Sequence, residues 1–330
     1  MDPGAGRHTV PLACDESGFV GGSLFGEARV FAHASVQIGA EEATEVLEEV
    51  RRRTDAGPGE VKASRLRHPS TRPVAAWLCG PEGRLAGRAV VHVTDTRRFG
   101  LARLAQLVTS ASSPEGWWSA DRDAGAWELA GRLDELLAAL PATEERRFLH
   151  GARDLLWLNR RLRPRAPVED WTDTVAAVAA SVPELDDRLL VSGLASPAAV
   201  DRVGSYLASP PAAPLTEPIL PALRWAVHHW SAFGDPDVVH DEQSVLTPAR
   251  VESLAADLAA TYPGRHLAGF ARVDSREDPR VQVADLVVGV VRRSVAARLA
   301  GSSSGWAGLP VDHLVADGSP LELPDAERTA

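Results

Sequence analysis

Three apolar runs lying far apart in the chain each carry an acid: Leu12-Ala13-Cys14-Asp15, Val238-Val239-His240-Asp241, and the stretch from Val281 to Val291 around Asp285. An ionised carboxylate in apolar surroundings is costly unless it is paired, hydrogen-bonded or bound to a cation. Any fold this chain adopts therefore has to bring these acids to a polar feature. The first two runs are short, as buried strands are, and the third is long enough for a helix. A chain mixing the two patterns reads as α/β.

The rest of the pattern agrees. Pro11 to Glu16 and Ala28 to Ile38 read as two strands of an opening hairpin, joined by a turn containing Gly18, Gly21, Gly22 and Gly26. Ala40 to Arg53 carries Ala43, Val46, Leu47 and Val50 at helical spacing and is closed by Gly57-Pro58-Gly59. Arg88 to Val93 is a further strand. From Phe99 to Leu207 the periodicity is mostly helical, and Trp117, Trp118, Trp127, Trp157 and Trp171 sit among Leu and Ala as core residues do rather than as base-stacking platforms. Ser209 to Pro218 holds prolines too densely for helix or central strand. A strand into Asp241, a helix over Pro248 to Thr261, a strand over His266 to Val273 and a helix over Val281 to Ala300, with its capping region at Asp274-Ser275 and Asp278-Pro279, complete the reading. The expected organisation is a first part of the core over 1–98, a helical insertion or cap over 99–208, a proline-rich connector over 209–222, a second part of the core over 223–300, and an acidic tail over 301–330.

At 330 residues the chain can bury a core without disulfide staples, and Cys14 and Cys79 lie in apolar stretches, as free thiols do in a reducing compartment. With no apolar run long enough for a signal peptide or a membrane span, a cytoplasmic protein with no membrane partner is expected. A formal charge of −10 argues against coating nucleic acid through the overall field, so any such contact has to be local. One segment qualifies: Glu144 to Arg165, with Arg146, Arg147, Arg160 and Arg161, carries a local excess of four positive charges. Its plainer reading is a solvated helix face.

The candidate chemistry gathers the strand-end acids Asp15, with Glu16 and Ser17 after it, and Asp241, with His240 and Glu242 beside it. On the last helix Gln282, Asp285, Gly289 and Arg292 fall on one stripe, opposite Val283, Leu286, Val287 and Val290. Glu60 and Lys62 follow the Gly-Pro-Gly turn on one side of an extended segment. Lys62 is the single lysine among 35 basic residues, all others being arginine, and a compact ammonium is what would balance carboxylates or meet a phosphate oxygen. Oxygen donors of this kind suit Mg²⁺ or Mn²⁺. His240 reads as a structural hydrogen-bonding residue first and a proton shuttle second. His228-His229 has no Cys or His companion at zinc-ligand spacing.

Asp15-Glu16-Ser17-Gly18, Glu60-Val61-Lys62-Ala63-Ser64, Asp241-Glu242-Gln243-Ser244, and Asp274-Ser275 followed by Val281-Gln282-Val283-Ala284-Asp285-Leu286 together resemble the family called domain of unknown function 3800, grouped with ribonuclease-H-like proteins. The likeness covers roughly residues 10 to 64 and 236 to 300. It implies a ribonuclease-H-like mixed sheet flanked by helices, with the helical middle as an insertion. It also implies that Asp15, Glu60, Asp241 and Asp285 are catalytic ligands of two divalent ions in a phosphodiesterase acting on DNA, RNA or a nucleotide. Lys62, Glu16, Ser17, Gln282, His240 and Glu242 would then stand around them. Glu60 departs from the pattern, since the corresponding Glu usually lies on a helix. The alternatives are a catalytically silent module binding a protein partner, or a hydrolase of a small nucleotide.

Overall fold

A computed structural model describes residues 8–18, 24–26, 28–57, 59, 61–109, 124–156, 167–208, 216–317, 319 and 321. Glu60, Arg160 and Arg161, together with Trp117, Trp118, Trp157 and residues 209–215 of the proline-rich connector, lie outside the described residues. In chain order the elements are β1 (Thr9–Ser17), β2 (Val30–Gln37), α1 (Ala40–Thr54), α2 (Arg72–Cys79), β3 (Ala89–Asp95), α3 (Thr96–Thr109), α4 (Ala124–Ala139) and α5 (Ala142–Leu156). They continue with α6 (Pro167–Ser181), α7 (Leu185–Gly193), α8 (Pro197–Ala208), α9 (Ile219–Trp230), β4 (Asp235–Asp241), α10 (Pro248–Thr261), β5 (Gly269–Val273) and α11 (Pro279–Leu299). The chain is α/β, with two compact units.

The first unit comprises residues up to Gly18, Val30–Thr94 and Ala222 onward. Its five-stranded mixed sheet has the order β3-β2-β1-β4-β5. The expected hairpin is present, β1 running antiparallel to β2 with Asp15 opposite Ala34. β4 lies parallel to β1, pairing Cys14 with His240, and β5 lies parallel to β4, pairing Asp241 with Val273. Side chains alternate across a strand, so Ala13, Asp15 and Ser17 share one face with Val239 and Asp241. Leu12, Cys14 and Glu16 share the other with His33, Ser35 and His240.

On the first of these faces lies α11. It starts as expected, the Asp278 carboxylate accepting a bond from Arg280 N with Pro279 in the first turn. Its surroundings differ from the expected stripe. Val281, Gln282, Val283, Leu286, Val287, Gly289, Val290 and Val291 are all buried, because β1 and β2 cover one side and α1, α2 and the 3-10 turn Ala63–Arg67 enclose the other. Gly289 is required there: a Cβ would stand 2.4 Å from that of Ala63. Gly289→Val is expected to destabilise the unit by about 1–3 kcal/mol through overpacking, the gain in helix propensity being smaller. A thermal melt checks this, and an unchanged Tm would mean that the 63–67 turn yields freely.

Further corrections concern the chain ends of this unit and a helix that the sequence reading passed over. The short helix α2, with Val74, Ala75, Leu78 and Cys79 buried, packs against α11 and α1. The region expected as an acidic tail is partly core: Val311, Leu314 and Ala316 are buried, Val315 forms a bridge to Val91, and the Ser319 hydroxyl accepts from Val93 N at 3.1 Å. The burial of Val311 and Leu314, three apart, outweighs the acid Asp312 between them. Both cysteines are free and buried, as expected.

The second unit comprises Phe19–Arg29 and Asp95–Pro221, wider than the insertion expected over 99–208. Helices α3 to α8 enclose a core that includes Leu101, Leu133, Phe148, Trp171, Val175 and Val203. Between the two strands of the hairpin, the described residues 24–26 and 28–29 fall in this unit. Phe25 packs on this core against Gly100, whose Cβ would lie 2.6 Å from the ring, and Thr96 Oγ1 donates to Ala28 O at 3.0 Å. Among the described residues no helix is long and apolar enough to cross a membrane.

Candidate active site

The parallel pairing of β1 with β4 sets Asp15 and Asp241 side by side, each one residue beyond the pair Cys14–His240 and both facing α11. Asp285 comes from α11 itself. Asp15 is 5% exposed. Its carboxyl is held well above the usual carboxylate range, first by burial and then by the negative charges of Glu16, Asp285 and Asp241, against the opposing bond from Glu16 N at 2.8 Å. The charges of Glu16, Asp285 and Asp241 thus converge on Asp15.

The surrounding groups are tied down. Asp241 Oδ1 accepts from Ser275 N at 3.0 Å, and Gln282, buried on α11, donates from Nε2 to Arg276 O at 3.3 Å, so the 274–276 loop is anchored to both. Lys62 Nζ stands 3.9 Å from Asp285 Oδ2, and its charge also helps to hold Asp274, bonded chiefly to Arg276, at about 2. The close approach at Gly289 puts the Lys62 turn next to the acid. Arg292 Nε donates to Ser17 Oγ at 2.9 Å.

Glu16 faces the other side of the sheet, where it accepts from the Gln243 amide and lies 4.0 Å from His240 Nε2. His240 is wholly buried, with Nδ1 donating to Asp241 O at 2.9 Å, so its Nε2 receives the bond from His33 Nε2 at 3.1 Å. That closed pairing suits the structural role. Burial lowers His240 to about 4 and lowers His33 well below its ordinary value. His33 escaped the sequence reading because its partner is a strand two positions away in the sheet. Its only signal was a lone ring nitrogen pair inside the Ala28 to Ile38 run.

Glu242 is exposed and lines, with Gln243, Phe270 and Arg272, an open groove of about 720 Å³. Arg146 and Arg147 are exposed on α5, where Arg147 pairs with Glu144 at 3.2 Å, as an ordinary solvated helix face does. No protein family, curated protein or solved structure matches this chain.

Among the described residues no group of three or more His, Cys, Asp or Glu is arranged to hold a metal ion. Asp15, Asp241 and Asp285 offer carboxylate oxygens only, the donor type that hard cations take, and one cation beside them is the half-exposed Lys62. A divalent ion would relieve the repulsion that raises Asp15.

Proposed function

We propose that this chain hydrolyses phosphodiesters of nucleic acid or nucleotides, on a ribonuclease-H-like sheet, with Mg²⁺ or Mn²⁺ held by Asp15, Asp241 and Asp285. The observation that carries the proposal is the buried Asp15 carboxyl, pushed up by burial and by acids from β1, β4 and α11. Strand-end carboxylates beside an acid on the last helix appear in the chain order that the resemblance implies, with Glu60 as the further member. When bound, such an ion activates water and stabilises the leaving oxygen.

The chain's own residues supply the rest. Ser275 N and Gln282 keep Asp241 and the 274–276 loop in place, and a ligand so oriented costs less to organise on binding. Lys62 meets a phosphate oxygen as a mobile point charge beside Asp285. His240, buried between His33 and its own strand, holds β4 rather than moving protons to solvent.

Calorimetric titration with Mn²⁺ tests the proposal. The wild type is expected to bind with a defined stoichiometry and the Asp15→Asn/Asp285→Asn variant to lose that heat. Absence of binding by the folded wild type, with a phosphate ligand present, would replace this reading with that of a module binding a protein partner.

A further inference from the structure

A second cavity in the first unit stands apart from the carboxylates. From Ala222 onward α9 belongs to this unit, and its residues Arg224 and His228, one turn apart, both reach Asp257 of α10. Arg224 Nε and Nη2 donate to the two carboxylate oxygens at 2.8 and 3.3 Å, and His228 Nε2 lies 2.8 Å from Oδ2. Asp257 is thereby matched by a buried guanidinium and fixes the imidazole through one nitrogen.

Beyond α10 the chain reverses through Tyr262-Pro263-Gly264-Arg265. Gly264 has φ +89°, and Arg265 N donates to Tyr262 O at 2.9 Å. The reversal brings Arg265 to a cavity of about 350 Å³ that is also lined by His228, Ser231, Thr261 and Tyr262. In a chain of net charge −10, no carboxylate is among its described lining residues. Ser231 spends its hydroxyl proton on His228 O at 2.6 Å. The Arg265 guanidinium and the Thr261 and Tyr262 hydroxyls have no partner among the described residues. In this Thr261 differs from Thr44, Thr54, Thr109 and Thr172, whose hydroxyls bond back to helix carbonyls.

We propose that this cavity binds a phosphate group, either inorganic phosphate or a phosphomonoester. A guanidinium with five donors and two hydroxyls around an acid-free recess match a tetrahedral dianion, and the Tyr262 ring, edge-on to His228 at 5.3 Å, offers a surface for an organic substituent. The site is distinct from the carboxylates. Ser231 and Arg265 precede the starts of β4 and β5, which His266 N ties together by its bond to Asp235 Oδ1, whereas Asp241 closes β4, a strand about 20 Å long. It depends on no divalent ion and stands whether or not the chain is a nuclease.

Calorimetry in divalent-free buffer, titrating inorganic phosphate and separately phenyl phosphate, tests it. The wild type is expected to bind both saturably at one site, Arg265→Gln to bind about tenfold to a hundredfold more weakly, and Thr261→Val about fivefold more weakly. Asp15→Asn/Asp285→Asn is expected to bind as the wild type does. Tighter binding of phenyl phosphate would identify a phosphomonoester ligand, and equal binding the bare anion. Circular dichroism confirms that the variants are folded. No saturable binding by the wild type, or Arg265→Gln binding equally well, would overturn the proposal, as would loss of binding in the Asp15/Asp285 variant alone.

Discussion

Asp15→Asn is expected to raise the melting temperature of the divalent-free protein while abolishing metal-dependent cleavage. The carboxyl is buried among like charges, and an amide of the same shape removes the repulsion while its oxygen can still accept the bond from Glu16 N. A gain on the order of 1 kcal/mol corresponds to roughly 2–4 °C for a cooperative unit of about 200 residues, the size of the first unit. Because the folded protein holds the Asp15 proton to higher pH than the unfolded chain does, wild-type stability recovers as pH falls through the folded value. The variant's advantage is therefore largest above that folded value and shrinks as pH falls below it. Cleavage should fall by more than the tenfold to hundredfold that removing a ligand's outer partner costs. Paired melts and assays read both effects, and a lower Tm with retained cleavage would mean that Asp15 is a structural acid.

The second large effect is acid lability. His33, His92 and His240 are buried and neutral; burial lowers His92 and His240 to about 4 and His33 well below its ordinary value, with His240 and His92 adding to the shift. An unfolded imidazole titrates near 6.5. Above that pH these groups cost nothing. Below it the unfolded chain takes up protons that the folded chain refuses, so stability falls as pH drops from about 6.5 toward 4. For His92 and His240 the loss is on the order of 3 kcal/mol each across that window. Asp15 works in the opposite direction with one proton, leaving a net loss that Asp15→Asn should steepen. Melting curves at pH 7.5, 6 and 5 check this, and a Tm flat across the range would show that the three imidazoles gain partners on protonation.

Much of the first unit is legible in local sequence because its signals are local. The period of Ala43, Val46, Leu47 and Val50, the Asp278-Pro279 cap, and the short apolar runs closed by Asp15 and Asp241 each need only a few neighbouring residues to be recognised. The same signals led to errors where burial comes from several sides at once. Within α11 the apparent polar stripe is enclosed by the 63–67 turn, and in 309–321 apolar residues hidden among acids close the edge of β3.

What the sequence by itself determined is which acids have to escape an apolar environment: Asp15, Asp241 and Asp285 are embedded in runs that are buried in either strand or helix. Tertiary structure alone decided which groups meet. The parallel register of β1 with β4, the face alternation that sends Glu16 to the imidazoles and Asp15 to α11, the approach of Lys62 permitted by Gly289, and the convergence of Arg224, His228 and Asp257 all join residues remote in the chain. Local periodicity tells a side chain how buried to be. Only packing across the sheet and between helices sets its partner, because that choice depends on register and shape complementarity that no single segment encodes.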